Sequence, residues 1–283
     1  MKFALCNEVL QPLPFAQQCK LAADLGYDGL EVAPFTLAAD PMSLADADAA
    51  SLRRVAEDHG LTIFGLHWLL VAPPGLSLVS EDAQVRQRTV AVMTRLVELC
   101  ALMGGSYLVH GSPRQRSVPA GSTREQAWER ARECLRAAGE ASARHGVTYC
   151  LEPLSRVETD LVNTVEEGAR MVDEIGLRSL RTMIDCSAAG QAETEPVHLL
   201  MERWLPTGMV AHVQVNDPDR RGPGQGAMDF APILQVLQRM EAAGHFGGIV
   251  AVEPFDYVPD GPGCAARAIG YLRGVLQGLE HHG

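Results

Sequence analysis

The sequence predicts an α/β protein built as one (β/α)8 TIM barrel across residues 1–283, and three observations carry that reading. Short apolar runs alternate with longer amphipathic ones eight times from end to end. No G-x-G-x-x-G loop follows the first apolar run, as an open, doubly wound dinucleotide-binding sheet would require. Four late runs also finish on a residue able to hold a metal ion, which becomes one site only if all strand ends share a face, as they do in a barrel.

The expected strands are 2–6, 28–33, 61–66, 106–110, 147–152, 180–185, 210–215 and 248–253. They read as near-continuous apolar runs, the pattern of parallel strands covered on both faces. The expected helices are about 14–25, 46–59, 82–103, 122–145, 164–175, 195–204, 230–243 and 262–280. Ser122 followed by Glu125, and Asn163 followed by Glu166, resemble helix starts in which a capping side chain is answered by a carboxylate three residues on. Gly60, Gly146 and Gly176 read as helix ends in the left-handed conformation. The stripe Met93, Leu96, Leu99, Cys100 and Met103 reads as a helix face turned to the barrel. Two connections, about 67–81 and 215–229, are longer than the rest, follow strands, and are expected on the catalytic face.

Size and composition fit that frame. A chain of 283 residues matches one barrel of about 250 residues, with no linker or composition break to divide it. The net charge of −11 argues against a general nucleic-acid binder, which would show a basic face. Seven scattered cysteines without a C-x-x-C pair argue against a disulfide framework or zinc ribbon and for a reducing cytoplasm. Asn7 and Glu8 interrupt the N-terminus before a signal-peptide core could form, and no run approaches the ~18 apolar residues of a membrane helix.

The candidate ligands are Glu152, Asp185, Gln214 and Glu253, ending expected strands five to eight at intervals of 33, 29 and 39 residues. Each interval is about one strand–helix unit, and neighbouring strands lie ~4.8 Å apart, so the four can share one cation. Three carboxylates and an amide oxygen suit Mn²⁺, with Mg²⁺ or Co²⁺ as alternatives, better than a structural zinc. Each residue alone has a plainer explanation: a loop carboxylate for either Glu-Pro, a helix cap for Asp185, a solvated amide for Gln214. Their joint placement favours the metal site.

Glu152-Pro153, Ile184-Asp185, His212-Val-Gln214, the loop from Arg220 to Gly226 and Glu253-Pro254 together resemble the xylose isomerase-like barrels, specifically the group of ketose 3-epimerases and hydroxypyruvate isomerases. The resemblance spans essentially the whole chain. It implies a divalent ion, often manganese, held at these four positions, with glutamine as third ligand as in hydroxypyruvate isomerases. It further implies that Glu158 and Arg220 contact substrate, and that His67, closing the third strand beside Trp68, faces it. Family members usually carry a histidine three residues after the aspartate ligand, whereas this chain has Ala188. The substrate, or its manner of binding, therefore departs from the familiar one. Homodimers or homotetramers are what the family implies for assembly.

The mechanism so implied is proton transfer on a ketose or keto-sugar through an enediolate, with Glu152 and Glu253 as the acid/base pair. An alternative on the same site is a keto-sugar or keto-inositol dehydratase or lyase. Related apurinic-site endonucleases place histidines where His67 and His110 stand, so a dinuclear centre with Glu152 is a further alternative, as is substrate contact by His110. The charge and Ala188 count against an endonuclease, and a non-enzymatic sugar-binding barrel is the last option. Arg114 or Arg116 could hold a substrate carboxylate or phosphate, or pair with nearby acids. Trp68 and Phe255 could wall a sugar or pack the core, Asn216 and Asp217 could support the ligands, and Glu8 could touch a hydroxyl.

Overall fold

The computed structural model describes the backbone of residues 1–282 and side chains through 280. Its elements run β1 (Lys2–Cys6), α1 (Phe15–Leu25), β2 (Gly29–Val32), α2 (Asp46–Asp58), β3 (Thr62–Leu66), α3 (Ala83–Leu102), β4 (Tyr107–His110), α4 (Arg124–His145), β5 (Thr148–Leu151), α5 (Val165–Ile175), β6 (Leu180–Asp185), α6 (Cys186–Ala192), α7 (Val197–Trp204), β7 (Val210–Val215), α8 (Phe230–Ala242), β8 (Ile249–Val252) and α9 (Gly261–His282). All eight strands are parallel to their neighbours and close in sequence order, β8 pairing with β1. The expected strands fall within a residue of those observed. The short α6 is an addition: Asp185 accepts from the Ala188 N–H at 2.7 Å and starts a helix directly at the end of β6.

The two expected helix caps sit one residue later than expected. Thr123, not Ser122, caps α4 in a reciprocal pair with Gln126. Thr164, not Asn163, caps α5 by accepting from the Glu167 N–H. In both cases the β-branched hydroxyl lies next to the first turn, and the neighbouring polar residue is drawn into other bonds: Ser122 to Glu81, Asn163 to the carbonyls of Leu154 and Thr159.

Helices surround the barrel, and Met93, Leu96, Leu99, Cys100 and Met103 are buried against it as expected. The barrel is tight enough to need glycine: a Cβ on Gly65 would stand 2.5 Å from the Tyr107 ring. All seven cysteines are buried and free. Among the described residues no helix is long and apolar enough to cross a membrane.

Candidate active site

Register places the acids. β6 and β7 pair Asp185 directly with Gln214, and the Glu152 N–H bonds to the His110 carbonyl one step beyond the β4–β5 ladder. Glu253 follows β8, one residue past the Val215–Val252 pair, and its N–H approaches the Val215 carbonyl at 3.4 Å. The C-terminal strand ends thereby gather Glu152, Asp185 and Glu253, with carboxylate oxygens all within 4.8 Å of one another. All three are buried.

Burial raises the pKa of each carboxyl. Glu152 is pushed up further by Glu253 and Asp185, with Arg116 opposing. Asp185 rises to about 7 although the Ala188 N–H and the Asn216 amide oppose it. Glu253 rises to about 8 by burial, against the pull of His67. Three acids packed like this repel unless protons or a cation sit among them.

Other acceptors also lack donors. Glu253 Oε2 and Gln214 Oε1 are buried without a hydrogen-bond partner in the protein, at a cost of about 1–3 kcal/mol each if left so. A hard divalent cation satisfies such an oxygen set, so the residues present fit a metal ion.

The ligand shell is held from behind. Asn216 Nδ2 donates to Asp185 Oδ2 at 2.7 Å and to the Glu253 carbonyl at 3.0 Å, and its Oδ1 accepts from the Ser187 N–H. Gln214 Nε2 donates to Glu31 Oε1 at 2.6 Å. Glu31 is fully buried, accepts from Tyr107 Oη at 2.6 Å, and has His212 Nε2 at 2.9 Å. Burial alone would raise its pKa, but His212, His67 and Tyr107 bring it down to about 2. Sequence reading missed Glu31. The available signal was a lone acid inside the buried run Gly29–Ala33, where the β2–β3 register also shifts between Leu30 and Glu31.

His67 is placed differently from expectation. Nδ1 lies 2.9 Å from Glu253 Oε1 and Nε2 2.9 Å from Glu8 Oε2. Both ring nitrogens are taken and the side chain is fully buried, so none is left for a substrate. Burial works against a charge here, but Glu8 and Glu253 reverse it and lift the pKa well above the ordinary value, so the ring bridges two acids. Glu8 gives Oε2 to that bridge, while its Oε1 is buried without a partner in the protein.

His110 keeps one ring nitrogen, Nε2, without a partner in the protein. Its Nδ1 meets Tyr149 Oη at 2.7 Å, and it belongs to no cluster of three metal-capable side chains among the described residues. Burial and the nearby Arg116 lower its pKa to about 3. A cation beside a neutral, buried ring opposes a second metal there, so the dinuclear arrangement has no support.

A cavity of about 400 Å³ borders Glu152. Trp68, Gly111, Arg114, Glu152, Leu154, Glu158, Arg220 and Phe255 contribute to its lining. Of the four expected ligands, Glu152 reaches this lining and the others do not. Trp68 stacks on Phe255 with centroids 5.9 Å apart, and Arg220 lies over Phe255 at 4.7 Å and 3.9 Å from Glu158. The pair Glu158 and Arg220 is thus brought together on the cavity wall. Gly111 is required there: a Cβ would stand 2.3 Å from Glu152 Oε2. A larger groove of about 810 Å³, bounded by Gly190, Val197, Asp217 and Met228, lies among α6, α7 and α8 and includes none of the clustered acids.

Comparison with known proteins finds relatives over most of the chain. D-psicose 3-epimerase of Agrobacterium fabrum (strain C58) is 26% identical over 249 residues, covering 85% of this chain and 79% of the relative. A 3-dehydro-D-guloside 4-epimerase of Escherichia coli (strain K12) is 27% identical, covering 89% and 92%. Both are epimerases, a class of isomerase. Among solved structures, an L-ribulose 3-epimerase superposes with a TM-score of 0.82 at 19% identity, covering 99% of this chain and 96% of that one. The family model for xylose isomerase-like TIM barrels matches residues 19–275, and the chain belongs to that family.

Proposed function

We propose that this protein is a metal-dependent sugar isomerase or epimerase acting on a ketose or keto-sugar through an enediolate. The observation that carries the reading is the grouping of Glu152 and Glu253 with Asp185 at the strand ends, where Glu152 reaches the lining of a cavity of sugar size. The relatives named for sugar epimerisation support it.

Glu152, Asp185, Gln214 and Glu253 would hold the ion, Mn²⁺ by preference for this oxygen-rich set, with Mg²⁺ or Co²⁺ as alternatives. When bound, the ion supplies Lewis-acid polarisation of a carbonyl and acidifies the neighbouring C–H. The chain supplies the rest. One glutamate takes the carbon-bound proton and the other returns one. Return to the opposite face of the same carbon gives epimerisation, and delivery to the former carbonyl carbon gives aldose–ketose isomerisation. Glu152 lines the cavity and reaches a bound sugar directly. Glu253 is held at Oε1 by His67, leaving Oε2 as its free oxygen. Glu158 and Arg220 orient hydroxyls, and Trp68 with Phe255 presents an apolar wall to sugar C–H groups. The seven unpaired, buried thiols suit a reducing cytoplasm.

The test is deuterium wash-in from D2O, followed by NMR, for a panel of ketoses, hydroxypyruvate and 3-keto-glycosides with Mn²⁺. At least one should exchange a carbon-bound proton, and Glu253→Gln should fold normally but not exchange. No exchange in any compound, or wild-type exchange in the variant, removes the assignment.

A further inference from the structure

The loop after β4 holds two guanidinium groups that the proton-transfer chemistry does not use. Arg114 is exposed and lines the cavity that Glu152 and Glu158 also line. Among the described residues it has no ion pair and donates no side-chain hydrogen bond. Arg124, at the start of α4, does find an acid, pairing with Glu167 at 2.8 Å. Arg116, two residues after Arg114, is fully buried, and its Nε, Nη1 and Nη2 all lack partners. The acids whose charges it feels are Glu152 and Glu158, both on the cavity wall.

The loop itself is fixed. Ser112, in the left-handed region at φ 40°, accepts from the Leu70 N–H at 3.0 Å, and the Gln115 carbonyl accepts from the Leu78 N–H at 2.9 Å. The loops after β3 and β4 are thereby tied together, and Arg114 is carried on a braced turn at the cavity wall. A guanidinium without a protein partner, two residues from a second that is buried and unpartnered, is suited to a carboxylate or phosphate.

We propose that this loop forms an anion subsite, in which Arg114 holds a carboxylate or phosphate that the substrate carries away from its reacting carbons. The proposal rests on the isomerase reading for the position of those carbons, but the subsite can be tested by binding alone. Arg116 adds a fixed positive charge behind the loop.

The experiment uses Mn²⁺-loaded wild type, Arg114→Gln and Arg114→Lys. The probes are D-fructose, D-fructuronate and D-fructose 6-phosphate, neutral and anionic at the same distal carbon. Each is measured by deuterium wash-in and by titration calorimetry. The anionic probes should be favoured over D-fructose by about tenfold or more in the wild type, the scale of one charge-assisted pair. That ratio should collapse in Arg114→Gln and largely survive in Arg114→Lys, and the better anion tells carboxylate from phosphate. Equal handling of neutral and anionic probes, no binding of either anion, or a preference that persists in Arg114→Gln overturns the subsite. An Arg114-dependent binding preference without any exchange keeps the subsite and removes the isomerase reading instead.

Discussion

Gln214 Nε2 donates to Glu31 Oε1 at 2.6 Å, and that bond decides which end of the amide is left free. Glu31 is held ionised, with its pKa brought down to about 2, so it can only accept. The amide nitrogen must therefore face it, and Gln214 Oε1 remains as the acceptor available to a cation. Glu31→Gln should remove that constraint. Mn²⁺ affinity should fall about 10- to 100-fold, the usual effect of losing an outer partner of a metal ligand. Calorimetric titration of the purified variant checks this, and an unchanged affinity would show that Glu31 does not orient the amide.

His67 bridges Glu8 and Glu253 through both ring nitrogens, and the two acids raise its pKa. His67→Leu leaves two buried acids facing an apolar side chain. Stability should fall by about 3–5 kcal/mol, as when one partner of a buried ion pair is removed. Urea unfolding of the metal-free variant measures this, and a loss below about 1 kcal/mol would mean that the bridge is not charged.

Gly111 has no room for a side chain because Glu152 Oε2 occupies it. Gly111→Ala should displace Glu152 while leaving the barrel intact. Deuterium wash-in should drop about tenfold or more with an unchanged circular dichroism spectrum, since small misplacements of a reacting group are costly. Full activity in the variant would show that Glu152 tolerates the shift.

The carboxylate cluster gives metal-free stability a pH dependence of definite sign. Asp185 and Glu253 have folded pKa values of about 7 and about 8, above their ordinary 3.8 and 4.5. The folded state therefore retains protons that the unfolded chain has lost, so their stabilising contribution is complete below pH ~4 and is lost as pH rises through 7 and 8. Glu152 and His67, also raised, act in the same direction. The lowered His110 acts oppositely, but only below its ordinary value of 6.5. Between pH 6.5 and 8 the metal-free melting temperature should fall, and saturating Mn²⁺ should abolish the fall. A metal-free melting temperature that rises over this window would contradict the cluster's protonation.

The barrel was readable from the chain because each strand is an apolar run punctuated by a capped helix, and those signals are local. The four candidate ligands were readable for a related reason. Glu152, Asp185, Gln214 and Glu253 each stand at or beside a strand end, and the strand ends of a barrel share one face. Asp185 combines the two roles its position suggests, capping α6 and joining the acid cluster.

What the sequence determined by itself was therefore the order of elements, the closure of the sheet and the positions at which polar residues end its strands. What the tertiary structure decided was which side chains those residues meet. Glu31 and Gln214 are 183 residues apart, and His67 and Glu253 are 186 apart. Such pairs arise only when the sheet closes and inward-facing side chains from distant strands share a small, water-poor interior. There an unpaired charge is costly, so each buried acid must find a histidine, an amide or a cation. The assignment of His67 to Glu8 and Glu253, and of Gln214 to Glu31, follows from that three-dimensional constraint and leaves no local trace in the chain.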